Sequence, residues 1–439
     1  MTRNQVAPWL ADSRWPTVPI RFLARLGTGH TPSRSVAGYW ENCSIPWLTL
    51  ADVWQLRRGS TDVITDTKEK ISEIGLANSA AVKHSAGTVI LSRTASVGFS
   101  AILGSDMATS QDFATWTCGP TLYPRYLLHA LRAMAGDLKR VAAGSTHKTI
   151  YMPDIEQLRI PAPPLDEQRR IASFLDAETA RIEALGAKRK KQRDLLDEHY
   201  LTAIFSAIAG LNEPGGRRRC STASWLGSVP DDWPIMPVGY QFEVLLGKML
   251  NQERVHGDYL RPYLRNTNVQ WDKIDTDDLS KMDFRPNEQS RYRVLSGDLL
   301  VCEGGEPGRS AIWDGRFEEI YYQKALHRVR PRGYSSPRWL YYCLRAATAQ
   351  NVFAIEGNTT TIAHLTSEQL KAHRLPFPAR DAQDRAVERL DAMSSQQDVL
   401  ATQLRKQQSM LAERRQALTA AAVTGQIDVS ATGGRGIED

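Results

Sequence analysis

Cysteine is scarce in this chain: five residues in 439, at positions 43, 118, 220, 302 and 343, with no Cys-x-x-Cys pair. A set so scattered, and odd in number, argues against a disulfide framework and against a cysteine-based zinc site. There is also no run of about eighteen apolar residues, the length needed to span a bilayer. The opening Met-Thr-Arg-Asn-Gln has no apolar targeting core, so a cytoplasmic location is expected. Signatures of catalysis are missing too. Gly247-Lys248 is followed by methionine and lacks the upstream glycine of a phosphate-binding loop. There is no Gly-x-Ser-x-Gly elbow, no His-Glu-x-x-His pattern and no Asn-Pro-Pro-aromatic or Asp-Pro-Pro-aromatic loop. The nine histidines are dispersed. Asp66-Thr67-Lys68 could be half of a nuclease Asp-x-Lys motif, but no Pro-Asp precedes it, and a polar loop is the better explanation. Neither a catalytic residue nor a metal-ligand set is expected.

What is present is a duplication. A stretch from Trp9 to Gly210 recurs in order between Trp225 and Gly425. Gly87-Thr-Val-Ile-Leu and Gly98-Phe-Ser-Ala-Ile-Leu103 match Gly297-Asp-Leu-Leu-Val and Gly308-Arg-Ser-Ala-Ile-Trp313. Pro124-Arg-Tyr-Leu-Leu-His-Ala-Leu-Arg-Ala133 lies over Pro337-Arg-Trp-Leu-Tyr-Tyr-Cys-Leu-Arg-Ala346, and Asp166-x-Gln168-x-Arg170 over Asp381-x-Gln383-x-Arg385. A tandem repeat of this length means two like modules and not a short-period solenoid.

Each repeat ends in a segment without proline. From Asp166 to Ala209 there is a single glycine, Gly186, and from Asp381 to Thr424 there is none. Apolar residues at helical spacing predict two helices of about 44 residues, roughly 65 Å each. Helices so long need a partner, and the economical one is the other helix. The expected antiparallel coiled-coil seam uses Ile171, Leu175, Ile182, Leu185 and Leu196 against Val387, Leu390, Leu404, Leu411 and Leu418. The basic run Lys188-Arg-Lys-Lys191 with Arg193 reads as a solvated helix face or as a phosphate contact. Short β-like runs (Thr88–Leu91, Leu299–Val301) and helix-like runs (Arg125–Met134, Arg338–Val352) alternate ahead of each long helix. The expected fold is therefore mixed α/β (α+β): a globular domain over 1–165, a helix over 166–210, a breaker-rich exposed linker and second domain over 211–380, a second helix over 381–425 and a flexible tail over 426–439. Trp15, Trp47, Trp233 and Trp339 are read as core or domain-seating residues.

Two sets of motifs resemble a known family. Pro163-Pro-Leu-Asp-Glu-Gln-Arg-Arg-Ile-Ala-Ser-Phe-Leu-Asp-Ala177, and Leu418 to Asp428 with Val423-Thr-Gly-Gln-Ile427, look like the helical regions of type I restriction-modification specificity subunits. Gly27-Thr-Gly-His-Thr-Pro-Ser33, Tyr39-Trp40 and Ile45-Pro-Trp47 are similar to the opening of a target-recognition domain in that family, as are Tyr263-Leu-Arg-Asn-Thr-Asn-Val269 and Gly304-Gly-Glu-Pro-Gly-Arg309. One departure is that Glu167 and Arg169 of the first helix become Ala382 and Asp384 in the second. The resemblance implies a non-catalytic DNA-reading subunit with two target-recognition domains, each reading one half of a bipartite target. It also implies two methyltransferase (modification) subunits that use S-adenosylmethionine, restriction subunits that use ATP and Mg, and helices that dock those partners and set the spacer. This chain itself would bind no cofactor.

The residues support such a reading on their own terms. The net charge is +6, which suits a polyanionic partner. A DNA reader needs cations for phosphates, and amides, hydroxyls or guanidinium groups for base edges, presented on loops or element ends. The first repeat offers His30, Thr31, Ser33, Arg34, Arg93, Thr94, Gln111, Thr146 and Lys148. The second offers Lys248, Arg265, Asn266, Asn268, Arg309, Ser310, Gln323, Lys324, Thr359 and Thr360. The Gly-Ser-Thr and Gly-Asn-Thr stretches are also ordinary turn chemistry. Two other classes stay open: a self-sufficient DNA methyltransferase or nuclease with an unrecognised catalytic part, and a coiled-coil scaffold whose globular ends bind proteins.

Overall fold

The computed structural model describes residues 8–56, 61–142, 148–213, 215–249, 257–355 and 364–429. The chain divides into two compact units, residues 1–190 with 404–439, and residues 191–403. The divisions fall inside the long helices, which run Leu165–Ile208 and Arg380–Thr424. Each unit thus holds the first half of one helix and the last half of the other.

In the first unit, a five-stranded sheet has the order Ala24–Thr28, Phe113–Cys118, Val89–Ser92, Ser100–Leu103, Val63–Ile64. A four-stranded sheet has the order Glu69–Ile71, Ile45–Leu48, Met107–Thr109, Lys83–His84. Val89–Ser92 and Ser100–Leu103 are apolar on both faces because both are covered. The helix Pro124–Ala133 starts on a proline whose missing N–H costs nothing at that position. Its buried Tyr126, Leu127, Leu128 and Leu131 pack with Trp116 and Val89 from the sheet and with Ile171 and Leu175 from the long helix. Ala422 and Val423, from the end of the other long helix, complete this core.

The second unit repeats this frame. Its main sheet runs Phe242–Leu246, Leu326–Pro331, Leu299–Cys302, Ser310–Ile312, and a smaller one runs Ser280–Asp283, Leu260–Leu264, Tyr321–Tyr322. The helix Pro337–Ala349 covers the main sheet with Trp339, Leu340 and Leu344, joined by Ile204, Ala386 and Leu390 from the long helices. Trp47, Trp233 and Trp339 are buried, as core residues should be.

Both long helices end on a glycine in the left-handed region, Gly210 at φ 63° and Gly425 at φ 74°, which closes the last turn without a Cβ penalty. Leu211 N donates back to Ser206 O at 2.8 Å and Gln426 N to Ala421 O at 2.9 Å. Within the first unit Arg415 pairs with Glu183 at 3.0 Å, while residues 422 and 423 meet residues 171 and 175. Within the second, Gln397 Nε2 donates to Asp197 Oδ1 at 2.5 Å, while residues 386 and 390 meet residue 204. In both units the two helices are antiparallel.

Three expectations need correction. The stripe is not one apolar seam: Ile171, Leu175 and Leu390 are buried in the domain cores, Ile182 is buried, Leu196, Val387, Leu404, Leu411 and Leu418 are only half-buried, and Leu185 is exposed. In each unit the apolar side chains serve the domain core, and polar pairs bridge the two helices, Glu183–Arg415 in the first unit and Asp197–Gln397 in the second. The linker is partly ordered. Arg218–Cys220 pairs with Ser228–Pro230, and Arg218 donates to Gly210 O and Ala209 O at 2.8 Å each, capping the first long helix. The tail begins later than expected, because Ile427 and Val429 still pack on the first unit's core.

Candidate nucleic-acid interface

The rim of the first domain forms where the strand Ala24–Thr28 runs out. A Cβ on Gly29 would fall 1.8 Å from Thr109 O, so only glycine lets the chain pass this close. His30 N then donates to Thr109 O at 3.0 Å, and Trp47 Nε1 to His30 O at 3.2 Å. Thr31 Oγ1 donates to Gln111 Oε1 at 2.7 Å, and Arg93 Nε to Gln111 O at 2.9 Å. Thr94 Oγ1 is bonded to Asp112 Oδ1, and Ala95 N donates to Lys148 O at 2.9 Å. Residues scattered between 30 and 148 are thereby gathered into one rim: His30, Thr31, Arg93, Thr94, Gln111 and Lys148. The bond at Nε fixes the plane of Arg93, and its two terminal nitrogens have no partner among the described residues. Ser33 is exposed and shares a hydrogen bond with Ser35. Arg34 is engaged by its own domain, over the Trp40 ring at 3.9 Å and paired with Glu69 at 2.5 Å.

The second domain uses the same backbone device with different side chains. A Cβ on Gly247 would fall 2.2 Å from Gln323 O, and Lys248 N donates to Tyr322 O at 3.1 Å. Lys248 itself turns inward and is only 2% exposed. Its Nζ donates to Asp283 O at 2.5 Å and to Glu288 Oε2 at 2.6 Å. Asn268 is buried and ties a turn together, accepting from Arg265 N and donating to Asp275 O and Asp278 O. Ser310 is fully buried in its strand. Lys248, Asn268 and Ser310 are therefore removed from the solvent-facing candidates. Arg265 is occupied by Asp278 at 2.7 Å. Asn266 donates to Gly304 O and accepts from Arg309 at 3.0 Å. These three residues brace the loop more than they face outward. Gln323 is half-buried and Lys324 exposed. Thr146, Thr359 and Thr360 lie outside the described residues.

Matching hydrogen bonds put the two rims in register. Arg93 N donates to Asp112 O at 2.9 Å and Arg93 O accepts from Ile150 N at 2.8 Å. Glu303 N donates to Ala325 O at 3.0 Å and Glu303 O accepts from Leu365 N at 2.7 Å. Glu303 is thus the counterpart of Arg93. By the same logic Lys324 is the counterpart of Gln111, and Arg309 that of Phe99, since Cys302 N to Arg309 O repeats Ser92 N to Phe99 O at 2.8 Å.

Beneath the rims, each domain is seated on its long helix by repeated contacts. Gln168, 1% exposed, accepts from Tyr123 N and donates to Thr121 O and Pro163 O. Gln383 accepts from Ser336 N and donates to Pro378 O. Arg125 joins Asp176 at 2.6 Å and Asp62 at 3.4 Å, while Arg338 joins Asp391 at 2.7 Å and also pairs with Asp272. Tyr126 Oη donates to Pro161 O at 2.9 Å, and Trp339 Nε1 to Pro376 O at 2.8 Å. Burial pushes the Asp176 carboxyl upward, but hydrogen bonds from His129 and Arg125 outweigh it and hold the pKa below the usual range. Burial likewise opposes charge on Arg338, and the bonds to Asp272 and Asp391 more than reverse that.

The rims present amides, hydroxyls, cations and one carboxylate on a rigid backbone, a set suited to hydrogen-bond recognition. Among the described residues no group of His, Cys, Asp and Glu could hold a metal ion, and no helix is long and apolar enough to cross a membrane. In Asp66-Thr67-Lys68 only Thr67 is buried, and its Oγ1 accepts from Trp47 N and donates to Glu69 O.

The family model for the type I restriction modification DNA specificity domain matches residues 13–192 and again residues 230–407. The chain is 22% identical over 381 residues to the MjaIX type I restriction enzyme specificity subunit of Methanocaldococcus jannaschii, covering 83% of each chain. It is 27% identical over 184 residues to the EcoR124I/EcoR124II specificity subunit of Escherichia coli, covering 40% of this chain and 45% of the relative. Its fold is similar to that of a chain in a solved structure described as the structural basis of assembly and conformational transition of the type I R-M system. That superposition has a TM-score of 0.68 at 17% identity and covers 94% of this chain and 98% of the other.

Proposed function

Since the chain belongs to the type I restriction-modification DNA specificity family, we propose that each of its rims reads one half of a bipartite duplex target. The observation that carries this reading is the pair of rims itself: one backbone frame, fixed by the same hydrogen bonds, displays Arg93 and Gln111 in one copy and Glu303 and Lys324 in the other. A constant frame with variable side chains is what recognition of two different short sequences requires. Catalysis would belong to the partners, two methyltransferase subunits with S-adenosylmethionine and restriction subunits with ATP and Mg. The antiparallel helices would dock these partners and hold the half-sites at a set spacing.

A hybrid chain carrying a related first domain in place of residues 1–165, assembled with its methyltransferase subunits, tests the assignment. Sequencing of the methylated positions is expected to show one half of the target changed and the other intact. A change in both halves would sink the assignment of one domain to one half-site. Spacing is tested by adding a matched heptad to both helices, which moves the half-sites apart by about 10 Å at 1.5 Å per residue. A longer unread spacer is expected. An active variant with the original spacer would mean that the helices do not measure distance.

A further inference from the structure

Arg93 and Glu303 occupy the same place in the two rims, and they carry opposite charge. The backbone at each is bonded on both sides to the scaffold, so each side chain leaves from a fixed point. The Glu303 side chain is half-buried, yet its carboxylate has no hydrogen bond or ion pair among the described residues. A carboxylate on a surface that meets DNA is repelled by the phosphates, and such a position is favourable only where a donor meets it.

In the major groove, guanine offers acceptors at O6 and N7 and thymine an acceptor at O4, whereas cytosine N4 and adenine N6 are amino donors. An ionised carboxylate can only accept. We propose, resting on the reading of the rims as DNA-reading surfaces, that Glu303 sets the base at one position of the second half-site by accepting from an exocyclic amino group, cytosine N4 or adenine N6, and rejecting guanine and thymine there. Arg93, with Nε tied to Gln111 O and its terminal nitrogens without a partner among the described residues, makes the matching position of the first half-site a guanine. The two halves of the target differ in hydrogen-bond polarity at this place.

The test uses the chain assembled with its methyltransferase subunits. Sequencing of methylated DNA first defines the second half-site. Binding is then measured for wild type and Glu303→Ala on duplexes in which each cytosine of that half-site is replaced in turn by 2-pyrimidinone, which lacks the 4-amino group, and each adenine by purine, which lacks the 6-amino group. At one position the wild type is expected to lose roughly 5- to 150-fold in affinity, and Glu303→Ala little or nothing. Which analogue shows the effect tells cytosine from adenine. Equal losses by wild type and Glu303→Ala at every position overturn the proposal. So does loss of all duplex binding by both Glu303→Ala and the isosteric Glu303→Gln in an intact complex, because one base contact accounts for no more than that factor. If neither Glu303→Ala nor Arg93→Ala alters any base preference while duplex binding persists, the reading of the rims itself has failed.

Discussion

Where each domain sits on its helix, the repeats use the same chemistry almost residue for residue: Gln168 and Gln383, Arg125 with Asp176 and Arg338 with Asp391, Tyr126 and Trp339 donating to corresponding proline carbonyls. At the rims the backbone bonds persist and the side chains do not. Arg93 is replaced by Glu303, Gln111 by Lys324, and the exposed His30 by the buried Lys248. The seat answers to a geometry shared by both copies, so its side chains are held to one solution. The rim needs only a rigid frame, and its side chains are free to differ. Burial separates the two cases. A seat residue such as Gln168 satisfies buried backbone groups, and a substitution there leaves them without partners.

The largest test of this division sets Lys248 against Lys324. Lys248→Ala withdraws a buried ammonium from Asp283 O and Glu288 and is expected to destabilise the second unit by about 3–5 kcal/mol, read by urea unfolding. Lys324→Ala should leave stability within about 0.5 kcal/mol and reduce the slope of log affinity against log salt by about 0.9 if the ammonium neutralises a phosphate. The reverse pattern would place the DNA-facing cation at 248 and undo the register of the two rims. Next in size, Gln168→Ala and Gln383→Ala should each cost roughly 1–3 kcal/mol. A cost at one and none at the other would break the equivalence of the seats. The smallest effect is on acid stability. Burial holds the pKa of His84 in the first unit and of His327 in the second below the ordinary 6.5. Because the folded-state values are depressed, each contribution is present above about 6.5 and is lost as pH falls through the folded value. His327→Gln is expected to flatten the fall in unfolding midpoint on that acid side, and an unchanged slope would assign the acid loss elsewhere.

Much of this could be read from the sequence. The duplication, both long helices with their glycine stops and the strands at Val89–Ser92 and Leu299–Cys302 are legible because they rest on local periodicity and on breakers. Glu303 was also within reach: the alignment that places Gly98 on Gly308 places Arg93 on Glu303. A search for donors and cations passes over a carboxylate. What the sequence does not carry is which way a polar side chain turns. Lys248 and Asn268 have the composition of surface residues, and only the neighbouring strand Ser280–Asp283 and the turn through Asp275 and Asp278 show that they face inward. The helix stripe misleads for a similar reason. Ile171 and Leu390 have coiled-coil spacing, but the apolar surface they cover belongs to the domains.

The interleaving of the two helices has a consequence for the order of folding. The second unit is continuous in sequence, residues 191–403, whereas the first needs residues 404–429 to cover its core. Synthesis proceeds from the N-terminus, and domains generally fold as they emerge. Here the domain made first is the one finished last. Until Ala422, Val423 and Val429 arrive, the face of Leu175 and Tyr126 that they cover stays open, and closing it joins segments more than two hundred residues apart, a slow kind of contact to make. A nascent chain stopped near residue 403 would carry a completed second unit and an uncovered first one, which makes the first unit the stretch that a ribosome-associated chaperone has most reason to shield.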